Sequence, residues 1–519
     1  MFGRPFGSML DACAASFPRE VALVEGDRRY TYAEMFSRIR ATGRALRSLG
    51  LHPGDRVAVV MTDCCDLITV MYATLWAGLT IVPLNARLSL DDHVTIIKDC
   101  DARVLAFSAG TAARGNAILE RVSLDFVISA GGQGLPANGY ALEDLVEREQ
   151  GGPGYPEVEP GNECWIQYTG GTTGVPKGVI HTHNSILAAQ YGVAFELGIE
   201  PDERHALVAP LTHGALPFFL GVWLRGGTNI ILGGFDPIQL LDTIQRERVT
   251  STMMVPTMIY KLLDVPNLRR WDLSSLRTIG YGAAPIGKER LEQALEVFGP
   301  IFIQIYGHSE ALSQTTLLAK RDHVRAAEHP QLLTSCGRAA VLSEVRVADD
   351  QLNTLPDGEI GEIVVRGQHV MRGYEKKPKE TAEVLCNGWL RTGDLGRRDE
   401  DGYFYIVDRK KDMIISGGFN VYPKEVENAL FQHPMVSDVC VIGVPDEKWG
   451  EAVKAVVVRL PGRKVSEQEL IDHVKKLKGS VLAPKSIDFV DAIPLTMAAK
   501  HDKKALRAKY WAGRERAVN

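Results

Sequence analysis

Through the first 330 residues, short apolar runs of strand character alternate with amphipathic helical stretches, and no other feature of the chain constrains its fold as strongly. Val57-Ala-Val-Val-Met61, Arg103-Val-Leu-Ala-Phe107, Asn229-Ile-Ile-Leu232 and Thr278-Ile-Gly280 are such runs. Strands separated by helices return in parallel, and the connecting helices cover both faces of the sheet. The expected class is therefore α/β. After about residue 335 the texture changes to short strands and tight turns, Val345-Arg-Val347, Asp357-Gly358, Glu362-Ile-Val-Val-Arg366 and Asp401-Gly402, which predicts a smaller β-rich subdomain. A further unit begins near Asp408. At ~150 residues per domain, 519 residues call for three or four compact units.

Leu67 to Leu84 is 18 residues without a charge, the lower edge of membrane-spanning length. Gly78 and Pro83 interrupt it, and the spacing predicts a buried helix over roughly 66–77 followed by a short core strand. No signal-peptide core or lipid address is read at the ends, so a cytoplasmic protein without a membrane span is expected. Hydrophobic residues at 45% and charged residues at 24% exclude disorder and collagen-like repeats. A net charge of −5 leaves no basic field for nucleic acid. The segment from Lys411 onward carries +4 against −9 for the rest, weak support for an anionic ligand. Eight scattered cysteines without a C-x-x-C pair predict reduced thiols rather than a disulfide or zinc framework.

Chemistry concentrates in Tyr168-Thr-Gly-Gly-Thr-Thr-Gly-Val-Pro-Lys-Gly178, directly after the strand-like Cys164-Trp-Ile-Gln167. Its glycines let backbone approach an anion, its threonines supply donors and Lys177 a positive charge, a set suited to polyphosphate. It is not the NTPase P-loop, because Gly178 rather than Ser or Thr follows the lysine. His181 and His183 follow, and without carboxylate or cysteine support they are read as part of the motif, not as metal ligands.

This stretch resembles the phosphate-binding signature of the adenylate-forming superfamily of acyl-CoA synthetases, amino-acid adenylation domains and beetle luciferases; Gly170 in place of serine looks most like the fatty-acid–CoA ligases. Gly282-Ala-Ala-Pro285, Tyr306-Gly-His-Ser-Glu310, Trp389-Leu-Arg-Thr-Gly-Asp394, Asp408-Arg-Lys-Lys-Asp412 and Ile415 through Glu425 resemble its further motifs, in the same order. The resemblance implies a large N-terminal domain, 1–410, of two α/β subdomains plus a small β-barrel, and a mobile α+β C-terminal domain, 411–519, hinged at Lys411. It implies that Thr169, Gly170, Gly171, Thr172, Thr173, Gly174 and Lys177 hold the ATP phosphates. Gly282, Ala283, Ala284, Tyr306, Gly307, His308 and Ser309 would line the adenylate, with Asp394 and Arg409 at the ribose. Glu310 and Thr172 would hold Mg²⁺. Lys500 would enter for adenylation, His213 lies near the acyl carboxylate, and Gly417, Gly418 and Phe419 form the coenzyme A loop. Gly214, Ala215, Leu216 and Tyr281 are assigned to the acyl pocket, with core packing the competing reading for Tyr281.

One motif departs. The C-terminal signature normally places glycine before the lysine; here Ala499-Lys500-His501 stands instead. An alanine where φ > 0 is needed costs ~1 kcal/mol or moves the loop. The leading expectation is an acyl-CoA synthetase that activates a hydrophobic carboxylic acid with ATP and passes it to coenzyme A. The alternative is an enzyme that makes thioester from a preformed acyl-adenylate supplied by a separate adenylating enzyme. A carrier-loading module, a luciferase-like oxygenase and a catalytically dead scaffold are the readings of other kinds. A homodimer is compatible with the sequence.

Overall fold

The computed structural model describes residues 5–132, 135–148, 157–169, 176–212, 216–460, 462–495 and 501–511. By internal contacts the chain separates into two units. The first comprises residues 1–345 and 365–390; the second comprises 346–364 and 391–519. The boundary expected at 410/411 falls inside the second unit.

Two sheets organise the first unit. In the eight-stranded sheet, Glu163–Thr169, Thr80–Pro83, Arg56–Val60, Val104–Ser108, Phe126–Ala130 and Gly139–Ala141 run parallel in that order. Lys177–Thr182 and then Gly373–Tyr374 extend it antiparallel past Glu163–Thr169. In the nine-stranded sheet, Phe302–Tyr306, Thr278–Gly282, Ser251–Met254, Arg204–Leu207, Thr228–Ile231 and Val21–Glu25 form the parallel centre. All four apolar runs of the sequence are strands within these sheets. The Leu67–Leu84 stretch divides as its glycine and proline dictate, into the helix Cys65–Trp76 and the strand Thr80–Pro83. Among the described residues no helix is long and apolar enough to cross a membrane.

One apolar core joins the two sheets through helices packed between them, drawing on Tyr32, Met35 and Phe36, on Leu67 to Trp76, and on Ile186 and Leu187. Trp223 stands at its centre. Its ring lies 4.5 Å from that of Phe219, 4.9 Å from Phe36 and 5.0 Å from Tyr72, between centroids. Buried aromatics of this kind need a partner for their polar end. Trp223 Nε1 donates to Ala22 O at 2.8 Å, and the Tyr32 hydroxyl donates to Gly227 O at 2.7 Å.

A five-stranded sheet follows, ordered Glu344–Ala348, Gly361–Arg366, Trp389–Arg398 and Leu385–Cys386, with Phe404–Arg409 also paired to Trp389–Arg398. It is the β-rich part expected after residue 335. The last sheet, Phe419–Val421, Ile414–Ser416, Gly450–Arg459 and Val436–Asp446 with Ser486–Phe489 beside Gly450–Arg459, lies wholly in the second unit. Its helices Pro423–Phe431 and Glu467–Lys478 close a separate core of Ile414, Val426, Leu430, Val453, Leu470 and neighbours. No disulfide joins the eight cysteines, six of which are buried.

Candidate active site

In the first unit, the two strands that flank the Gly/Thr motif pair with each other. Glu163–Thr169 pairs antiparallel with Lys177–Thr182, placing Tyr168 opposite Gly178 and Thr169 opposite Lys177. Thr169 Oγ1 lies 3.4 Å from Lys177 O. A Cβ on Gly178 would stand 2.8 Å from Ile166 Cγ2 and 2.9 Å from Tyr168 Cζ, so the strand crossing needs glycine. Gly170, Gly171, Thr172, Thr173 and Gly174 lie outside the described residues.

A residue that sequence reasoning missed links the lysine to the glutamate. Tyr374 sits in the short strand paired to Lys177–Thr182, opposite Val179. Its hydroxyl donates to Glu310 Oε1 at 2.8 Å, and the Lys177 ammonium lies 5.1 Å from the centroid of its ring. Burial, reinforced by the Glu310 carboxylate, pushes the Tyr374 phenol well above its usual range, so it stays protonated as a donor. Glu310 lies in the 3₁₀ turn Ser309–Ala311, where its backbone O accepts from Met371 N at 2.7 Å. Magnesium takes hard oxygen ligands and commonly needs only one or two carboxylates plus phosphates. With Oε1 on the phenol, Glu310 keeps Oε2 for a cation, so this donor fits. Among the described residues no group of three or more His, Cys, Asp and Glu forms a metal cage.

Gly282 and Tyr306 end neighbouring parallel strands, with Gly282 opposite Ile305. Carboxyl ends of adjacent strands are where open α/β sheets bind ligands. The fit there is close: a Cβ on Gly282 would be 2.3 Å from Ile305 O, and one on Gly307 would be 2.5 Å from the Ser313 carbonyl carbon. Ala283 holds φ at 64°, and Leu312 and Ser313, just past Glu310, hold 45° and 59°. Left-handed backbone costs about 1–2 kcal/mol per non-glycine residue, and such strain gathers at functional sites. Tyr306 and His308 meet edge to face at 5.2 Å; with Ala284 and Ser309 they are half-buried. His181 Nε2 lies 2.8 Å from Ser309 O, which can only accept, so this nitrogen carries the proton. Burial pushes both His181 and His183 down to about 4, leaving them neutral supports of the motif.

Tyr281 is placed differently from its pocket assignment. In the strand Thr278–Gly282 its side chain lies on the face opposite the Gly280 and Gly282 positions and is fully buried. There it meets Phe302 edge to face, and its hydroxyl bonds His323 Nε2 at 3.0 Å. It packs the core. His213, Gly214 and Ala215 lie outside the described residues, as does the side chain of Leu216. The start of that loop is fixed by a second overlooked residue: Asp63 Oδ1 accepts from Leu211 N at 3.1 Å, and burial lifts the Asp63 carboxyl to about 6.

In the second unit, Asp394 and Arg409 face each other across the paired strands Trp389–Arg398 and Phe404–Arg409. Arg409 Nε lies 2.6 Å from Asp394 Oδ1, the aspartate nearly buried and the arginine half-exposed. Gly393 turns at φ 70°, and Thr392 Oγ1 accepts from Asp394 N at 3.1 Å. Lys411 is exposed in the 3₁₀ turn Lys410–Asp412. Gly417 (φ 61°) and Gly418 (φ 83°) form a tight turn; Gly417 N donates to Trp449 O at 2.9 Å, and a Cβ there would strike the Trp449 ring at 2.5 Å. Phe419 beside them is 59% exposed, an apolar ring held in solvent at the tip of this loop. Ala499 and Lys500 lie outside the described residues. His501 just beyond them pairs with Leu495 in a β-bridge, and its Nε2 lies 3.0 Å from Asp438 Oδ2.

These features bring Lys177, Tyr374 and Glu310 together in one unit and pair Asp394 with Arg409 in the other. A family model described as AMP-binding enzyme matches residues 10–375, and that of the AMP-binding enzyme C-terminal domain matches 425–500. The chain belongs to the AMP-binding enzyme family. A medium/long-chain-fatty-acid–CoA ligase of Mycobacterium tuberculosis is 39% identical over 99% of this chain and 91% of its own. Feruloyl-CoA synthase from an Amycolatopsis species is 37% identical over 95% of this chain and 96% of its own. Among solved structures, the amide bond synthetase McbA from Marinactinospora thermotolerans superposes with a TM-score of 0.88 at 33% identity, covering 98% of this chain and all of that one. This AMP-binding enzyme is thus an adenylate-forming ligase, in the class of AMP-forming acid–thiol ligases to which these curated relatives belong by name.

Proposed function

We propose that the enzyme is an acyl-CoA synthetase for a hydrophobic carboxylic acid. The observation that carries this reading is the meeting of Lys177 and Glu310 on one tyrosine, a cation for phosphate beside a carboxylate for a metal ion. In the first step an oxygen of the acid attacks the α-phosphorus of ATP, and the bond to pyrophosphate breaks. Lys177 and the donors of the Gly/Thr motif offset charge on the departing phosphates, and Glu310 would hold Mg²⁺, which supplies Lewis-acid charge neutralisation there. Tyr306 and the Gly282 to Ala284 turn orient the adenosine, and Asp394 with Arg409 binds the ribose. Lys500 assists this step. In the second, the coenzyme A thiolate attacks the carbonyl carbon of the acyl-adenylate and AMP leaves, with the Gly417-Gly418-Phe419 loop guiding the thiol and Lys411 as the pivot between poses.

The test is ATP–pyrophosphate exchange across a panel of carboxylic acids, run beside thioester formation from coenzyme A and presynthesised acyl-adenylates. Exchange followed by thioester with the same acid is the expected result and names the substrate class. Thioester from the adenylate without exchange would assign only the second half-reaction, the outcome that Ala499 before Lys500 makes worth testing. An amide in place of a thioester, when amines are offered, would move the acceptor to that named for the McbA structure.

A further inference from the structure

Glu310 and Lys177 come from distant parts of the chain and from different elements: Glu310 is the middle residue of the 3₁₀ turn Ser309–Ala311, and Lys177 opens the strand Lys177–Thr182. Neither element fixes its own long side chain. What they share is residues 371–375. Met371 N donates to Glu310 O, Glu375 N donates to Gly178 O at 2.8 Å, and Tyr374 reaches both charged groups at once. The tyrosine is itself clamped. Its N–H donates to Thr381 Oγ1 at 2.9 Å, that hydroxyl donates to Lys377 O at 2.8 Å, and a Cβ on Gly373 would sit 2.8 Å from Thr381 Cγ2.

We propose that Tyr374 is a positioning residue of the nucleotide site. Its hydroxyl occupies one oxygen of Glu310 and aims the other at the metal, and its ring face confines the Lys177 ammonium near the phosphates. Partners that orient a metal-ligating carboxylate typically carry about 10–100-fold in metal affinity. A cation over an aromatic face at a half-exposed site contributes a smaller gain, about two- to fivefold in affinity. The phenol acts on metal affinity, and the ring on nucleotide affinity, so the two contributions separate by variant. The inference rests on reading this site as one for metal-bound ATP.

The experiment measures Mn²⁺ binding by electron paramagnetic resonance, with a non-hydrolysable ATP analogue present, on the full chain. Tyr374→Phe keeps the ring and loses the hydroxyl; it should raise the Mn²⁺ dissociation constant tenfold or more while analogue affinity without metal stays within twofold. Tyr374→Leu should show the same metal defect and a further two- to fivefold loss of analogue affinity. Thr381→Val loosens the clamp but leaves the phenol, so its loss of Mn²⁺ affinity should be clearly smaller than that of Tyr374→Phe, which separates positioning by the hydroxyl from general loosening. The metal requirement of pyrophosphate exchange should shift with Tyr374→Phe. Unchanged Mn²⁺ affinity in Tyr374→Phe, or an equal loss in Thr381→Val, overturns the inference alone. Wild-type chain that binds neither analogue nor Mn²⁺ overturns the ATP-site reading itself, and the inference with it.

Discussion

Asp63 shows how one buried carboxylate can set a pH dependence. It sits past the end of the strand Arg56–Val60 and gives Leu211 N an acceptor, but burial lifts its carboxyl from 3.8 to about 6. A raised carboxyl means the folded chain binds the proton more tightly than the unfolded one. Stability from this group is therefore full below about pH 4 and is lost as pH rises through 6. An asparagine keeps the acceptor and never ionises. Asp63→Asn should thus match the wild type near pH 4 and exceed it by about 1–3 kcal/mol at pH 8, read from denaturant midpoints at the two values. A gap independent of pH would show that Asp63 is not the titrating group. Composition and motif could not point to this residue or to Tyr374, since Met61-Thr-Asp-Cys64 and Arg372-Gly-Tyr374 carry no spacing that marks chemistry; only the fold brings them to Leu211 and to Glu310. Tyr281 was left between pocket and core for a related reason. A strand alternates faces, and Gly280-Tyr-Gly282 gives no apolar pattern to say which face is the core.

At the scale of elements, most of the first unit was legible, because its strands are short β-branched runs bounded by glycine and proline. The Leu67–Leu84 stretch is the clearest case, its helix and strand falling where Gly78 and Pro83 divide it. The pairing of Gly373–Tyr374 with Lys177–Thr182 was not legible: a two-residue strand has no periodicity, and its partner lies almost 200 residues earlier. What the sequence could not convey either is the degree to which the helix Leu216–Leu224 ties layers together. Its Trp223 bonds a strand of the nine-stranded sheet through Ala22 O and packs on Tyr72 of the helix Cys65–Trp76. Trp223→Ala removes that bond and opens a large cavity, and should cost about 3–5 kcal/mol. Chemical denaturation measures it, and a loss under 1 kcal/mol would mean the neighbouring rings collapse to fill the space. Nucleotide affinity should be unchanged while the variant remains folded, because no Trp223 contact reaches Tyr306 or Lys177.

Taken whole, the chain holds two kinds of boundary. Internal contacts assign residues 346–364 to the second unit, whereas the apolar core of Ile414 to Ile487 and the smaller one from Cys440 to Leu506 draw only on residues past 411. A segment with its own closed core can fold alone. The fragment 411–519 should therefore give a cooperative thermal transition and dispersed amide resonances; a non-cooperative melt would show that the rest of the second unit, 346–364 and 391–410, is required. The order of synthesis adds a consequence for the site in the first unit. Lys177 leaves the ribosome first, Glu310 next and Tyr374 last, and the residues between 345 and 365 belong elsewhere. At roughly 5–20 residues per second, the tyrosine follows the lysine by about 10–40 s. Throughout that interval the lysine and glutamate are present without the residue that joins them, so a nascent chain acquires this clasp as one of the final acts of completing its first unit.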